Sequence, residues 1–275
     1  MRPTLLLCDN GSRRPEATQS LRALARGLSR AADQTIHAVS LQHADRIPAE
    51  ALGGEPAHVL DSFLAGRLAG GERDFLILPL FFGPSRAVTR FIPQTVERLR
   101  RTWGDFNLRV AQILCPLPEG EPRLVDLLLD QTLAARAGPR PDYAVLVDHG
   151  SPIPEVTAVR RWLTGQLQRR RPDIAWREAV MERRPEAEYD FNGRLLEQVL
   201  EDIAAAQADA RIRLGLLFLH PGRHAGPGGD IEQIRAAVQN KHPALDIAAG
   251  PLAGAHPALI EILNARLAAL DGLSE

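Results

Sequence analysis

An internal repeat dominates this sequence and limits the folds that the chain can adopt. The segment DNGSRRPEAT at residues 9–18 aligns with DHGSPIPEVT at residues 148–157, an offset of 139, and six of the ten positions are identical. The same offset aligns residues 76–94 with 215–233, and it changes to 135 near residues 100–113. A repeat of this length indicates a duplicated domain. The predicted domains are a first copy at residues 1–137 and a second copy at 141–275.

Each copy alternates short apolar runs with longer amphipathic stretches. Near-continuous apolar runs are typical of strands buried on both faces of a parallel sheet, and leucines three and four residues apart are typical of the covering helices. The order predicts an α/β fold of two tandem doubly wound parallel-sheet domains, related by a pseudo-twofold and facing a central cleft. The predicted strands are Thr4–Cys8, Thr35–Leu41, Phe75–Leu80, Leu108–Ile113, Tyr143–Val147, Ile174–Val180, Ile212–Phe218 and Leu245–Ala248, and the predicted helices include Glu16–Leu28, Ala57–Leu68, Val156–Leu167 and Phe191–Ile203.

The composition excludes several classes of protein. Hydrophobic residues make up 45% and charged residues 24%, as in ordinary globular chains, and no apolar stretch reaches the roughly 18 residues that span a bilayer. A net charge of −1 gives no electrostatic reason to expect nucleic acid as a partner. The two cysteines, Cys8 and Cys115, are too few for a disulfide framework. We therefore expect a cytoplasmic protein with neither a membrane nor a nucleic-acid partner, and a monomer with pseudo-dimeric halves.

Two loops of the second copy carry histidines at predicted strand ends. His149 and Ser151 follow the fifth predicted strand, and Ser151 is the predicted N-cap of the next helix. Gly222 and His224 follow the seventh predicted strand, in a loop with four glycines between residues 222 and 229. In doubly wound sheets, ligands bind beyond the carboxyl ends of the strands. Both histidines are therefore expected to face the same cleft.

Glu182 adds a carboxylate just past the sixth predicted strand. Two imidazoles and a carboxylate suit a divalent transition metal such as Fe, Co, Ni or Zn, and they equally suit proton acceptance near neutral pH. His220 also lies near the seventh strand, where it is either a further site residue or an ordinary loop histidine. The chain has no HExxH, paired CxxC, GxxxxGK[ST] or GxSxG motif, so zincin, zinc-ribbon, P-loop and α/β-hydrolase chemistry lack support.

The segments around these histidines resemble a known family. An apolar strand followed by HGS and Pro-Glu, as in DHGSPIPEVTAVR at 148–160, and the later FLHPGRHAGPGGDI at 218–231 are similar to the sirohydrochlorin chelatases of the CbiX/SirB type. The resemblance covers both copies, and the duplication is similar to the tandem, double-length members. It implies a lyase-type chelatase that inserts Co²⁺, Fe²⁺ or Ni²⁺ into sirohydrochlorin or a related tetrapyrrole, in cobalamin or siroheme biosynthesis. The metal would be a substrate, and no organic cofactor is implied.

The resemblance also implies roles for individual residues. It assigns metal binding and pyrrole deprotonation to His149 and His224, and it places a catalytic acidic residue at Glu182. Sirohydrochlorin carries several carboxylates, which pair well with guanidinium groups. The predicted substrate-binding residues are Ser151, Arg183, Arg184, Gly222, Arg86 and Arg90.

The first copy departs from this pattern. At the aligned positions, Asn10 and Ser85 replace the two histidines and His43 replaces the glutamate. Asparagine and serine neither accept a proton near pH 7 nor bind such metals well. Arg86 and Arg90 replace part of the glycine-rich loop. We therefore predict a catalytically degenerate first copy that closes the cleft and holds substrate carboxylates, with a purely structural role as the alternative.

Two other functions remain open from the sequence. A non-catalytic tetrapyrrole or metal carrier would keep the fold and the histidine pair, and it would bind its ligand without accelerating metal insertion. A metal-dependent hydrolase would use a histidine-bound metal and water, and it would hold a stable zinc ion when isolated.

Overall fold

Two four-stranded parallel sheets form the framework of the computed structural model, which describes residues 3–271. The strands are β1 Thr4–Asp9, β2 Ile36–Ser40, β3 Asp74–Pro79, β4 Asn107–Val110, β5 Tyr143–Asp148, β6 Ala175–Val180, β7 Arg211–Leu216 and β8 Asp246–Ala249. The strand order is β2-β1-β3-β4 in the first sheet and β6-β5-β7-β8 in the second, and every neighbouring pair is parallel. The predicted doubly wound α/β fold with two parallel sheets is therefore confirmed.

Eight α-helices connect and cover the strands in the described part of the chain. They are α1 Pro15–Ala32, α2 Leu60–Ala69, α3 Ile92–Trp103, α4 Pro122–Leu133, α5 Pro154–Arg170, α6 Leu196–Ala206, α7 Asp230–Lys241 and α8 Pro257–Asp271. Four of them begin at a proline, whose fixed φ suits the first helical position and whose missing N–H is not needed there. A π-helical turn at Ala87–Phe91 precedes α3. No helix within residues 3–271 is both long and apolar enough to cross a membrane.

Burial of the strands on both faces explains their apolar sequences. In β1, every residue from Leu5 to Cys8 is at most 2% exposed, and Ala144 to Val147 of β5 are fully buried. Complete burial of one aliphatic side chain of this size contributes about 1.5–3 kcal/mol. The strands therefore lie within apolar cores, and their carboxyl ends carry the first polar side chains that can meet a ligand.

The compact units of the structure differ from the predicted domains at residues 1–137 and 141–275. Unit 1 contains the described residues up to Pro116 together with those from Pro257 onward, and unit 2 is Leu117–His256. The last helix of each copy thus packs in the unit built mainly from the other copy: α4 contacts β7 and α5, and α8 contacts α1 and β3.

Two glycines allow the close approach of the exchanged helices, that is, of α4 and α8, which each pack in the unit built mainly from the other copy. A Cβ atom at Gly215 of β7 would lie 2.4 Å from the hydroxyl oxygen of Thr132 on α4, and a Cβ at Gly27 of α1 would lie 2.8 Å from a methyl carbon of Ile260 on α8. Both separations are shorter than van der Waals contact. A larger residue at Gly215 would collide with the short side chain of Thr132 and push α4 away, whereas at Gly27 the terminal methyl group of Ile260 would have to move. The repeat alone could not show this exchange, because both copies end in helices of similar apolar character.

The sheet registers correct the predicted repeat offset. Leu7 of β1 pairs with Leu78 of β3, whereas Leu146 of β5 pairs with Gly215 of β7, so β3 and β7 are offset by 137 rather than 139. β4 and β8 return to an offset of 139, since they begin at residues 107 and 246. Cys115 and Gly254 still correspond at this offset, since their N–H groups donate to the matching carbonyls of Phe82 and Leu219. The change to 135 therefore falls between Cys115 and α4, after the predicted interval of 100–113.

Candidate functional site

The two histidine loops of unit 2 leave neighbouring strands at the same edge of the sheet. His149 directly follows β5, and the loop that contains His224 follows β7. The chain passes from β5 to β6 on one side and from β7 to β8 on the other, so β5 and β7 form the switch point of this sheet. Ligands of open parallel sheets bind at this point, outside the carboxyl ends of the strands.

A tight turn after β5 fixes the position of His149. Gly150 has a φ of +95°, and a Cβ atom there would lie 2.0 Å from the carbonyl oxygen of Glu182. Glycine is required at such a position, because other residues rarely adopt this φ and a side chain would collide with the backbone. The N–H of Glu182 donates to the carbonyl of His149 at 3.1 Å. The turn therefore holds His149 beside the first residues after β6.

The structure brings His149 and His224 into contact. Their ring centroids are 4.6 Å apart, with an angle of 76° between the ring planes. The two side chains are 45% and 28% exposed, respectively. The pair is therefore accessible to a ligand from solvent while both rings remain held by their loops.

Glu182 lies beside one ring nitrogen of His149. Nδ1 of His149 is 3.2 Å from the carbonyl oxygen of Gly150, and Nε2 is 3.2 Å from Oε1 of Glu182. Both oxygens accept hydrogen bonds, so either nitrogen of a neutral ring can carry the proton, and the other nitrogen then holds a lone pair. A proton that reaches Nε2 is stabilised by the adjacent carboxylate.

Asp230 orients His224 and is a site residue that the sequence analysis missed. Its Oδ2 lies 2.6 Å from Nδ1 of His224. An ionised carboxylate accepts from Nδ1–H and leaves Nε2 with a lone pair for a metal ion or a proton. Asp230 is the first residue of α7, where an acidic residue also suits the helix dipole. The spacing of the histidine and the aspartate, six residues apart in one loop, is the signal that could have identified it.

A buried arginine forms hydrogen bonds that support the turn that carries His149. Arg160 of α5 is 1% exposed, and its guanidinium donates to Asp148 at 2.6 Å, to Glu178 at 3.1 Å and to the carbonyl of Asn192 at 2.5 Å. The N–H of Gly150 donates to the same oxygen of Asp148 at 3.0 Å. Burial raises the pKa of Asp148, and the nearby guanidinium counteracts this rise. Arg160 therefore links the His149 turn to β6 and to the segment before α6.

Asn192 holds the other side of the turn. Its Oδ1 accepts from the N–H of Ser151 at 2.9 Å, and its Nδ2 donates to the carbonyl of Ser151 at 2.8 Å. The hydroxyl of Ser151 accepts from the N–H of Ile153 at 3.1 Å, whereas α5 begins at Pro154 with Ile153 as its N-cap. The predicted N-cap role of Ser151 is therefore wrong, because its hydroxyl closes a short turn ahead of the helix.

The predicted substrate-binding arginines of unit 2 already have partners. Arg183 donates to Asp190 at 2.7 Å, and Arg184 donates to the hydroxyl of Tyr189 at 2.9 Å while lying 5.1 Å from its ring centroid. Around Gly222, no atom lies within 4 Å of a Cβ placed there, so the loop leaves open space at this residue. Substrate contacts of these residues stay a prediction.

The predicted metal ligands form a pair of histidines rather than a group of three. Within residues 3–271, no group of three or more His, Cys, Asp or Glu side chains is arranged to hold a metal ion. The predicted trio is instead a histidine pair, in which Glu182 contacts His149 and Asp230 contacts His224. Burial lowers the pKa of His220 to about 4, so that imidazole is neutral at physiological pH.

The first copy lacks this buried arginine. Asp9 of unit 1 is the counterpart of Asp148, and Leu21 stands at the position of Arg160. The Asp9 carboxyl is 7% exposed and accepts from the hydroxyl of Ser40 at 2.7 Å. Burial raises the pKa of Asp9 to about 6. Unit 1 therefore contains a buried carboxyl group that is costly to ionise.

Replacing Asp9 with asparagine is expected to stabilise the protein increasingly as the pH rises. The folded-state pKa lies above the unfolded value near 3.8, so ionisation of Asp9 costs stability as the pH rises through 4 to 6. Asparagine keeps an acceptor for Ser40 and cannot ionise, so the gain should be about 3 kcal/mol at pH 8 and about half of that at pH 5. Urea unfolding at pH 8 and at pH 5 measures this gain in the free energy of unfolding. The exposed Asp105→Asn is the control and should show no such trend; a less stable Asp9→Asn variant at pH 8 would contradict the prediction.

Known proteins share both the sequence pattern and the fold. A family model described as CbiX matches residues 4–132 and 143–270. Three solved structures cover 98% of the chain: SirB from Bacillus subtilis with Fe³⁺ (15% identity, TM-score 0.72, 95% of that chain), SirB from Bacillus subtilis subspecies spizizenii in complex with cobalt (15%, 0.68, 94%), and CbiX, described as the terminal enzyme for siroheme biosynthesis in denitrifying bacteria (16%, 0.57, 99%). No protein of curated function matches. At these identities the likeness shows a shared fold.

Proposed function

The chain belongs to the CbiX family, and on this premise we propose that it is a chelatase that inserts a divalent metal ion into a modified tetrapyrrole. The observation that carries the proposal is the contact between His149 and His224, with ring centroids 4.6 Å apart, at the switch point of unit 2. The finer proposal is that the tetrapyrrole is sirohydrochlorin and that Co²⁺, Fe²⁺ or Ni²⁺ is the metal substrate.

Metal insertion poses two chemical problems that a histidine pair addresses. The hydrated cation must lose water ligands, and the macrocycle must lose its pyrrole protons. A neutral imidazole nitrogen replaces water on a borderline transition metal, and the same kind of nitrogen accepts a proton near neutral pH. Two imidazoles in contact can therefore hold the metal and receive protons at one place.

The surroundings of the two rings give them different tasks. Asp230 keeps the proton of His224 on Nδ1, so Nε2 of His224 faces the ligand as a donor of electrons. Glu182 lies beside Nε2 of His149 and stabilises the imidazolium that forms when this nitrogen takes a pyrrole proton. In this proposal both histidines bind the metal ion when it enters the site. His224 then chiefly holds the metal, and His149 chiefly accepts the pyrrole protons.

Substrate carboxylates would be held by groups around the same loops. The proposed contacts in unit 2 are Ser151, Gly222, Arg183 and Arg184. Arg183 and Arg184 each keep one internal partner, which orients a guanidinium that has further N–H groups to offer. The other two proposed contacts, Arg86 and Arg90, belong to unit 1.

Metal insertion into sirohydrochlorin tests the proposed function. The purified protein is mixed anaerobically with sirohydrochlorin and Fe²⁺, Co²⁺ or Ni²⁺, and the change in the absorbance spectrum is followed against a protein-free reaction. We expect at least one metal to be inserted well above the spontaneous rate, and we expect the enhancement to be lost in His149→Ala/His224→Ala.

Two results would contradict a chelatase. Stoichiometric binding of the tetrapyrrole without faster insertion would indicate the carrier, and a zinc ion retained through purification would indicate the metal-dependent hydrolase. The proposal also includes a cytoplasmic monomer that uses no organic cofactor. It binds no nucleic acid in this proposal, and the net charge of −1 supports that part.

A further inference from the structure

We propose that the first copy of the site, in unit 1, has become a binding pocket for organic carboxylates. Polar side chains of Asn10, Gln42, Arg86, Arg90 and Gln94 line a cavity of about 340 Å³. The class of ligand follows from these side chains. Only the suggestion that the carboxylate belongs to a tetrapyrrole rests on the proposed function.

The pocket occupies the place in unit 1 that the histidine pair occupies in unit 2. Asn10 follows β1, and the segment with both arginines follows β3, the neighbouring strand at the switch point of the first sheet. The tight turn is also kept: Gly11 has a φ of +86°, and a Cβ there would lie 1.9 Å from the carbonyl oxygen of Gln42. The backbone of the site is therefore preserved while its side chains have changed.

The side chains that differ between the two copies make the surroundings of the first site basic, where those of the second site are acidic. Ile92 and Ile231 are the matching buried residues at the starts of α3 and α7, and they anchor the alignment of the preceding loops. Counted back from them, Phe91 replaces Asp230, Arg90 replaces Gly229 and Arg86 replaces Ala225. Gln42 lies at the position of Glu182, because Asp9 pairs with Ser40 whereas Asp148 pairs with Val180. The predicted match of His43 with Glu182 is therefore wrong by one residue. The first copy thus loses both carboxylates that contact the histidines and gains two guanidinium groups.

Both guanidinium groups are available to a ligand. Within residues 3–271, neither Arg86 nor Arg90 forms an ion pair or a side-chain hydrogen bond, and no Asp or Glu lines the cavity. Two like charges that face one cavity repel each other, and a bound anion removes this cost. The guanidinium fork matches the two oxygens of a carboxylate, and the side-chain amides of Asn10, Gln42 and Gln94 add further N–H donors.

The local backbone brings the arginines to one side. Arg90 lies within the π-helical turn Ala87–Phe91, and Arg86 is the residue that precedes this turn. π-Helical turns are rare, and they occur frequently at functional sites. Here the turn directs residues four apart toward the same cavity.

The size of the cavity limits its ligand. Small-molecule sites enclose roughly 300–1,000 Å³, so about 340 Å³ accommodates a small organic acid or one carboxylate arm of a larger molecule but not a whole tetrapyrrole. The shared chemistry is a carboxylate, and its two possible sources are a free acid and the side chains of the macrocycle.

Binding without metal tests the proposal. Isothermal titration at constant ionic strength measures the Kd of citrate, of metal-free sirohydrochlorin and of inorganic phosphate for the wild type and for Arg86→Gln/Arg90→Gln. We expect the double variant to weaken binding of at least one of the two carboxylate ligands by about tenfold per arginine, as for lost charge-assisted hydrogen bonds. Weakened citrate binding identifies a free acid as ligand, and weakened sirohydrochlorin binding alone identifies an arm of the macrocycle.

A matched control separates the pocket from general charge effects. Arg98→Gln/Arg101→Gln removes the same charge from exposed arginines of α3 that pair with Asp61 and Glu97 outside the cavity, and it should bind both carboxylates like the wild type. The proposal is overturned if the wild type binds neither, if both double variants weaken binding equally, or if phosphate binds as well as citrate. Because no metal is inserted in this experiment, a failed insertion assay would overturn the proposed function and leave this result standing.

Discussion

Replacing either His149 or His224 with alanine is expected to lower kcat for metal insertion by about two orders of magnitude, the range for a positioned acid–base group. The rings lie 4.6 Å apart and form one unit, so the loss of either leaves a single imidazole to hold the metal and to take protons. The double variant should therefore be little slower than each single variant. Initial rates of the absorbance change at saturating sirohydrochlorin measure kcat.

The corresponding residues of the first copy provide the matched control. Ser85→Ala should leave kcat close to that of the wild type, and Asn10→Ala should lower it far less than the histidine variants do, because neither side chain accepts a pyrrole proton. Asp230→Asn keeps the imidazole of His224 but weakens its orientation, and it should cost about tenfold. Circular dichroism checks that each variant is folded. Equal losses of kcat in the first-copy variants and in the histidine variants would contradict the division of labour between the copies.

The strands could be predicted from the sequence because they are short, apolar and buried on both faces. Each observed strand overlaps its predicted counterpart, and the two histidine loops follow from where those strands end. The proximity of two histidines and one glutamate could also be predicted, since parallel neighbouring strands bring their carboxyl ends together, and their role in metal insertion stays a prediction.

The helix exchange and the supporting residues could not be predicted in the same way. Any helix with an apolar face satisfies either sheet equally. Gly215 marks where α4 approaches β7, and Gly27 marks where α8 approaches α1. Asp230 is ambiguous because an acidic residue is also favourable at the start of a helix. Arg160 is one arginine among many on amphipathic helices, and its burial depends on Asp148, Glu178 and Asn192, which the fold assembles from three separate segments.

Replacing Arg160 with leucine, the residue that the first copy has at this position, is expected to destabilise the protein by about 3–5 kcal/mol. Leucine fills much of the space but leaves Asp148, Glu178 and the carbonyl of Asn192 without their buried donor. An unpartnered buried charge costs far more than the pair itself contributes. Denaturant unfolding at pH 7.5 measures the change, and the same variant should insert metal more slowly because the turn that carries His149 loses its support.

The neighbouring arginine distinguishes burial from the mere presence of an ion pair. Arg161 also contacts Glu178, at 3.5 Å, but its side chain is 54% exposed, so Arg161→Leu should cost about 1 kcal/mol or less. The defect of Arg160→Leu should shrink on acidification, because burial raises the pKa of Asp148 and this carboxyl group, without its guanidinium partner, becomes neutral when it is protonated. A defect that is equal in the two variants, or one that grows as the pH falls toward 5, would contradict the role of the Arg160 charge. A large defect that does not change with pH would indicate that Arg160 supports the turn by packing.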